Sequence, residues 1–131
     1  MLDNKQLSIL ESIFEATFGK GSMDATGHAL RHKIMTDQSD GELILELRLE
    51  RGINFAPNEG LAKQKLDLDN KAFKALGKKI TDAKKEFREL SETSLKVKQL
   101  GKEQSDIVPY SFNRDLVRAR YVAKIAYKIG V

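Results

Sequence analysis

The fold is decided by the stretch RDLVRARYVAKIAYKIGV at residues 114–131. From position 117 onward its side chains alternate between two faces. One face holds Val117, Ala119, Tyr121, Ala123, Ile125, Tyr127 and Ile129, and the other holds Arg118, Arg120, Val122, Lys124, Ala126 and Lys128. Because a side-chain period of two is the pleat of a β-strand, the stretch predicts a long, half-buried strand with a basic outer face.

A second alternating stretch, ELILELRLER, lies at residues 42–51. Its four leucines share one face of an extended chain: Leu43, Leu45, Leu47 and Leu49. Leucine is a good helix former, but a helix would spread these four side chains around its circumference, so the alternation favours a strand. The turn-forming sequence DQSDG at residues 37–41 precedes it. Residues 28–35 and 42–51 therefore predict a β-hairpin.

Two further stretches predict amphipathic helices. The first is residues 3–18, with Asp3 as N-cap, Gln6 in a capping box and Gly19 at the end. Its apolar stripe is Leu7, Leu10, Ile13, Phe14 and Phe18. The second is residues 70–92, with Asp69 as N-cap. Its apolar stripe is Phe73, Leu76, Ile80, Ala83, Phe87 and Leu90.

The order of these segments predicts the fold class. Residues 94–100 predict a third strand, and residues 52–68 and 101–113 are expected to be irregular connections. The order is α-β-β-α-β-β. Since runs of adjacent strands form hairpins, we expect a four-stranded antiparallel sheet with two helices packed on one face. The expected organisation is a single α+β domain over residues 1–131.

Composition limits the class of protein. With 131 residues, 40% of them hydrophobic, the chain is long enough for one core. It has no cysteine, which excludes a disulfide framework, a thiolate metal site and a cysteine nucleophile. The N-terminal residues lack a basic lead, and the apolar runs are far shorter than the roughly 20 residues of a membrane span. We therefore predict a cytoplasmic protein without membrane contact.

Motifs for catalysis or metal binding are weak. His28 and His32 are spaced i, i+4, but a zincin pattern needs Glu where Ala29 stands. Two histidines without a third ligand or a carboxylate to orient them are interpreted as structural. No serine has a nucleophile signature, and no phosphate-loop or EF-hand pattern fits. The sequence thus predicts a protein that is not an enzyme and has neither metal nor cofactor.

The basic residues are the more informative feature. Residues 1–65 hold 8 Lys/Arg against 10 Asp/Glu, whereas residues 66–131 hold 15 against 9. If strands three and four pair, one sheet face collects Lys96, Lys98, Arg118, Arg120, Lys124 and Lys128. Tyr110 and Phe112 stand near these cations in sequence and are candidates for base stacking. The alternatives are a solvated face with edge lysines, and aromatic residues that serve the core or a subunit contact.

Three functional hypotheses follow, the third being an enzyme with a site dispersed over residues 52–68 and 101–113. The first is a non-catalytic structural or assembly protein that acts through self-association or a protein partner. Its support is the final strand, which is longer than the roughly 5–6 residues usual in globular proteins, so its excess length is expected either to pair with another chain or to project apolar residues beyond the sheet. The contact candidates are Tyr110, Phe112, Tyr121 and Tyr127. The alternative is a nucleic-acid-binding module that uses the basic sheet face.

Overall fold

The structure, a computed structural model, describes residues 1–19, 28–104, 107–109 and 116–131. The elements are α1 (Asn4–Phe18), β1 (Ala29–Asp37), β2 (Glu42–Ala56), α2 (Glu59–Ser91), β3 (Lys96–Gln104), β4 (Ile107–Pro109) and β5 (Val117–Gly130). Within these described ranges the α+β class and the α-β-β-α-β-β order are confirmed, with the short β4 inserted before the last strand. Neither of these two helices has an apolar stretch of the length that a bilayer span requires.

All strand pairs of the sheet are antiparallel, in the order β1-β2-β5-β3, and β4 pairs with β5 beyond the end of β3. The long final strand β5 is therefore central. It is flanked by β2 on one side and by β3 and β4 on the other. Among the described residues its excess length is paired mostly within this sheet, instead of forming the free edge that the self-association hypothesis invoked.

Both helices pack on one face of the sheet, as predicted. The leucines Leu43, Leu45, Leu47 and Leu49 of β2 are buried beneath them. The predicted stripe of α1 is buried completely. The capping box is also confirmed, because Asp3 Oδ1 accepts from the Gln6 backbone N–H at 2.8 Å and Gln6 Oε1 accepts from the Asp3 N–H at 3.1 Å. Gly19 ends the helix with φ +66°, a conformation that glycine adopts without strain.

The expected irregular connection at residues 52–68 is wrong. Strand β2 continues to Ala56 past a bulge, and α2 begins at Glu59. Asn58 is the N-cap, since its Oδ1 accepts from the Leu61 N–H at 2.9 Å. Asp69, predicted as the cap, lies inside the helix and is buried. A carboxylate at a core-facing position interrupts the apolar stripe of α2. The apolar periodicity therefore predicted a helix start about ten residues too far along the chain.

The expected connection at residues 101–113 is also shorter than predicted. Strand β3 runs to Gln104 after a register shift between Gln99 and Gly101, and residues 107–109 form β4. The bulge exposes Leu100, which is 49% accessible to solvent. An extra residue in one strand of a pair breaks the period-two pattern, so the alternation read from residues 94–100 did not extend further.

Candidate nucleic-acid interface

The face of the sheet opposite the helices, here called the outer face, carries most of the charged strand residues. Its described charged members are Arg31, Lys33, Asp37, Glu42, Glu46, Arg48, Glu50, Lys96, Lys98, Glu103, Arg120, Lys124 and Lys128. The predicted pairing of the third and last long strands is present, and it sets Lys98 opposite Lys128. Within the described ranges, no helix or strand covers this face, because both helices pack on the other.

Three of the predicted site residues lie wholly or partly outside the described residues. Tyr110 and Phe112 fall between the described ranges 107–109 and 116–131. For Arg118 the structure describes the backbone alone, which pairs with Phe55 of β2 and Val108 of β4. The other five, Lys96, Lys98, Arg120, Lys124 and Lys128, lie together on the outer face.

The cations of β5 are partly neutralised by three carboxylates of the adjacent β2. Lys128 Nζ lies 3.1 Å from Glu42 Oε2, Lys124 Nζ lies 4.0 Å from Glu46 Oε2, and Arg120 Nη2 lies 2.8 Å from Glu50 Oε1. The hydrogen bond from Arg120, assisted by the charge of Arg48, lowers the pKa of Glu50 below its ordinary value. Exposed ion pairs of this kind contribute only about 0–1 kcal/mol, so an incoming anion can displace them at little cost.

The cations of the two edge strands are less neutralised. Arg31 and Lys33 lie on β1, and Lys96 and Lys98 lie on β3; all four side chains are exposed. In the part of the chain that the structure describes, none of the four forms an ion pair. The outer face thus has a partly neutralised centre between two cationic edges.

Three cations stand in one cross-strand line, here called the cation row. Arg31 of β1 is directly opposite Arg48 of β2, and Arg48 is directly opposite Lys124 of β5. The row borders a depression of about 190 Å³ whose lining also includes Lys33 and Glu46. Like charges at directly opposed positions destabilise a sheet, so a bound anion would reduce the repulsion among these three cations.

An exposed aromatic ring, Phe55, lies on the same outer face. Its backbone pairs with Arg118 after the bulge in β2, while the next residue, Ala56, points into the core and is fully buried. Phe55 is 45% exposed. Sequence reasoning missed it because it fell in the stretch expected to be irregular. The signal that could have found it is the resumption of in-and-out alternation at Phe55 and Ala56.

A buried polar cluster lies between helix α2 and the face of the sheet on which the helices pack. Asp69 of α2 accepts a short 2.5 Å hydrogen bond from His28 Nε2 and forms a 3.2 Å ion pair with Arg51 Nε. His28 and Asp69 are only 1% and 2% exposed. Because neither group reaches solvent, the cluster holds the start of β1, the strand β2 and the helix α2 together rather than presenting a reactive group.

The sequence around the two histidines shows no obvious carboxylate to orient them, but the fold brings one to each from another segment. Besides the His28–Asp69 pair, His32 Nε2 lies 3.2 Å from Glu15 Oε2 of α1. The two carboxylates come from helices distant in sequence, which local spacing does not show. Among the residues that the structure describes, no three potential metal-ligating side chains come together.

The tyrosines of β5 face the core. Tyr121 is 1% exposed and donates a hydrogen bond to Asn70 Oδ1 at 3.4 Å. Burial, and to a lesser extent the charge of Asp69, raises the pKa of Tyr121 to about 12. Tyr127 is half-buried against the core, and burial raises its pKa as well. Tyr121 is therefore too deeply buried for the subunit contact expected of it, and Tyr127 has only part of its ring exposed.

A groove of about 440 Å³ runs between α1 and α2 on the outside of the helix layer. Its lining is Lys5, Ser8, Ile9, Ser12, Ile13, Ala16, Glu86 and Leu90. Leu90 is 64% exposed, although the stripe of α2 predicted it to be buried. At 3.6 residues per turn it lies about 100° around the helix from Phe73, so it falls at the margin of the core-facing stripe and points towards the groove.

Comparison with family models, curated proteins and solved structures gives no match to this chain. The outer face and the groove are the two surfaces whose geometry bears on binding, and the buried cluster bears on stability.

Proposed function

We propose that the chain is a non-catalytic nucleic-acid-binding module whose outer face takes a single strand. The observation that supports this proposal is the combination of exposed cations on all four long strands with one exposed ring, Phe55, on the same face. Lysine and arginine bind backbone phosphates, and aromatic rings stack on unpaired bases. Neither contact requires a particular sequence, so we expect binding with little sequence preference.

A single strand fits this face better than a duplex. Three spacings between neighbouring strands make the face about 14 Å wide, and it is open rather than grooved. Phe55 offers a contact that only an unpaired base can use fully, because bases inside a duplex are already stacked. The carboxylates of β2 lower the positive potential of the centre. We therefore expect modest affinity that falls steeply with added salt.

The test is fluorescence anisotropy with labelled single-stranded DNA and RNA across a salt titration. Changing the four edge cations Arg31, Lys33, Lys96 and Lys98 to Gln should weaken binding at least about tenfold. The slope of log affinity against log salt should become shallower by about 0.7 for each backbone phosphate that the variant no longer binds. Phe55→Ala should cost about 1–3 kcal/mol with a single strand and much less with a duplex.

The matched control removes the same charge from the helix layer. Lys63, Lys71, Lys74 and Lys78 are exposed residues of α2, and their replacement by Gln should leave binding almost unchanged. Absence of binding at low salt contradicts the proposal. Equal weakening in the two fourfold variants would also contradict it, because it would show attraction by net charge rather than contact with the outer face.

Assembly through self-association is a second candidate function, and the groove between α1 and α2 favours it. The lining of the groove includes an exposed leucine, Leu90, and a second apolar residue, Ile9. It also includes a cation on α1, Lys5, and an anion on α2, Glu86. A second copy is the occupant we propose, since a two-fold contact pairs each surface with itself. In such a contact Leu90 of one copy enters the other copy's groove, and Lys5 of one copy approaches Glu86 of the other.

Light scattering coupled to size exclusion tests this second candidate. We expect the unaltered chain to form a concentration-dependent dimer and Leu90→Lys to be monomeric. Leu68→Lys is the matched control, because Leu68 is 59% exposed on the same helix but does not line the groove. A monomer at all concentrations, or equal dissociation of both variants, would rule out the groove as a self-association surface.

A further inference from the structure

We propose that the cation row is a binding site for one phosphate group, here called the seat. The register sets Arg31, Arg48 and Lys124 side by side on three adjacent strands. Neighbouring strands are about 4.8 Å apart, so the three side chains start within about 10 Å of one another. The side chains of Arg48 and Lys124 are 48% and 47% exposed. All three groups can therefore converge on a single anion above the sheet.

The depression beside the row provides the space for that anion. Its volume of about 190 Å³ is bordered by four cations, Arg31, Lys33, Arg48 and Lys124, and by one carboxylate, Glu46. Glu103 of β3 stands opposite Lys124 at the end of the row. Cations outnumber carboxylates around the depression, so its local charge favours an anion even though the whole face is partly neutralised.

The ion pairs within the row are long. Lys124 Nζ is 4.0 Å from Glu46 Oε2, and Arg48 Nη2 is 3.5 Å from Glu50 Oε2. Charge-assisted hydrogen bonds normally measure about 2.7–2.9 Å. Glu50 instead makes its short contact, 2.8 Å, with Arg120 outside the row. The row therefore retains hydrogen-bond donors that the β2 carboxylates do not use fully.

The donor set indicates a phosphate rather than a carboxylate ligand. Two guanidinium groups offer planar pairs of N–H donors that match phosphate oxygens, and the lysine adds a point charge. The same chemistry is supplied by a nucleic-acid backbone or by a free phosphorylated small molecule. The first source rests on the proposed function above, whereas the seat itself rests only on the geometry of the row.

The first arm of the test uses inorganic phosphate alone. Backbone and arginine side-chain NMR signals are followed during a phosphate titration at constant ionic strength maintained with chloride. We expect saturable shifts centred on Arg31, Arg48 and Lys124, with a dissociation constant in the millimolar range. Arg48→Gln should weaken phosphate binding at least about tenfold, while Lys74→Gln, which removes an exposed cation of α2 away from the outer face, should retain it. Absence of saturable shifts, or equal weakening in the two variants, would overturn the seat.

The second arm separates the two sources of phosphate. Labelled single-stranded DNA is displaced with inorganic phosphate or a nucleoside monophosphate, and its binding to Arg48→Gln is measured. Competition together with weaker binding by Arg48→Gln supports a backbone phosphate in the seat. If Arg48→Gln does not affect DNA binding, the seat does not bind the nucleic-acid backbone. That result would still be compatible with the proposed function. Saturable phosphate binding without any DNA binding supports the seat for free phosphorylated compounds and contradicts the proposed function.

Discussion

Asp69→Ala is expected to lower the free energy of unfolding by about 3 kcal/mol, the largest effect of any single substitution considered for this chain. The carboxylate accepts from His28 at 2.5 Å and pairs with Arg51 at 3.2 Å while being 2% exposed. Its removal takes away the buried carboxylate that both the His28 ring and the Arg51 guanidinium contact. Loss of one partner of a buried pair costs about 3–5 kcal/mol, and the 19% exposure of the Arg51 side chain places this case at the lower end.

Urea denaturation followed by circular dichroism measures this loss as a shift in the midpoint at constant slope. Asp67→Ala is the matched control, because Asp67 is an exposed carboxylate of the same helix two residues away. Alanine favours a helix, so the control should be neutral or slightly stabilising. If the two variants differ by less than about 1 kcal/mol, the cluster does not hold the strands and the helix together as described.

The same cluster explains where the sequence-based prediction of the fold stopped. The alternation in β5 and β2 and the capping box of α1 are visible because every partner residue lies within a few positions. Asp69 instead contacts His28, which is 41 residues away in sequence. Because an aspartate just before an apolar stripe is typical of a helix N-cap, this buried carboxylate wrongly predicts the start of the helix. The first turns of α2 were missed for that reason. The bulge in β2 hid the end of that strand and, with it, Phe55.

The candidate site was predictable to a similar extent. Local alternation was enough to place Lys124 and Lys128 on an outer face, because the pattern within one strand defines its two sides. It did not reveal that β2 lies next to β5, since strand order depends on contacts between distant segments. That neighbour supplies both the carboxylates that pair with the β5 cations and Arg48, the middle member of the cation row. The charge of a sheet face is therefore a property of the strand order as well as of each strand.

Stability should fall as the pH rises from 10 to 12, with a contribution on the order of 1–3 kcal/mol from Tyr121. Burial raises the pKa of this phenol from 10.0 to about 12. Between these values the unfolded chain releases the proton while the folded chain keeps it, so ionisation favours the unfolded chain. The contribution is fully present below pH 10 and is lost at about 1.4 kcal/mol per pH unit above it. Urea midpoints measured at intervals across this range give the slope.

Tyr121→Phe isolates this contribution because it removes the ionisable group and keeps the ring. At neutral pH the change should cost less than about 1 kcal/mol, since the hydrogen bond it removes, to Asn70, is long at 3.4 Å. Above pH 10 the variant should become more stable than the unaltered chain. Tyr127→Phe is the matched control and should flatten the alkaline slope less, because Tyr127 is only half-buried. Parallel slopes in the unaltered chain and Tyr121→Phe would mean that the phenol ionises without unfolding, which its position beside Asp69 and its 1% exposure both oppose.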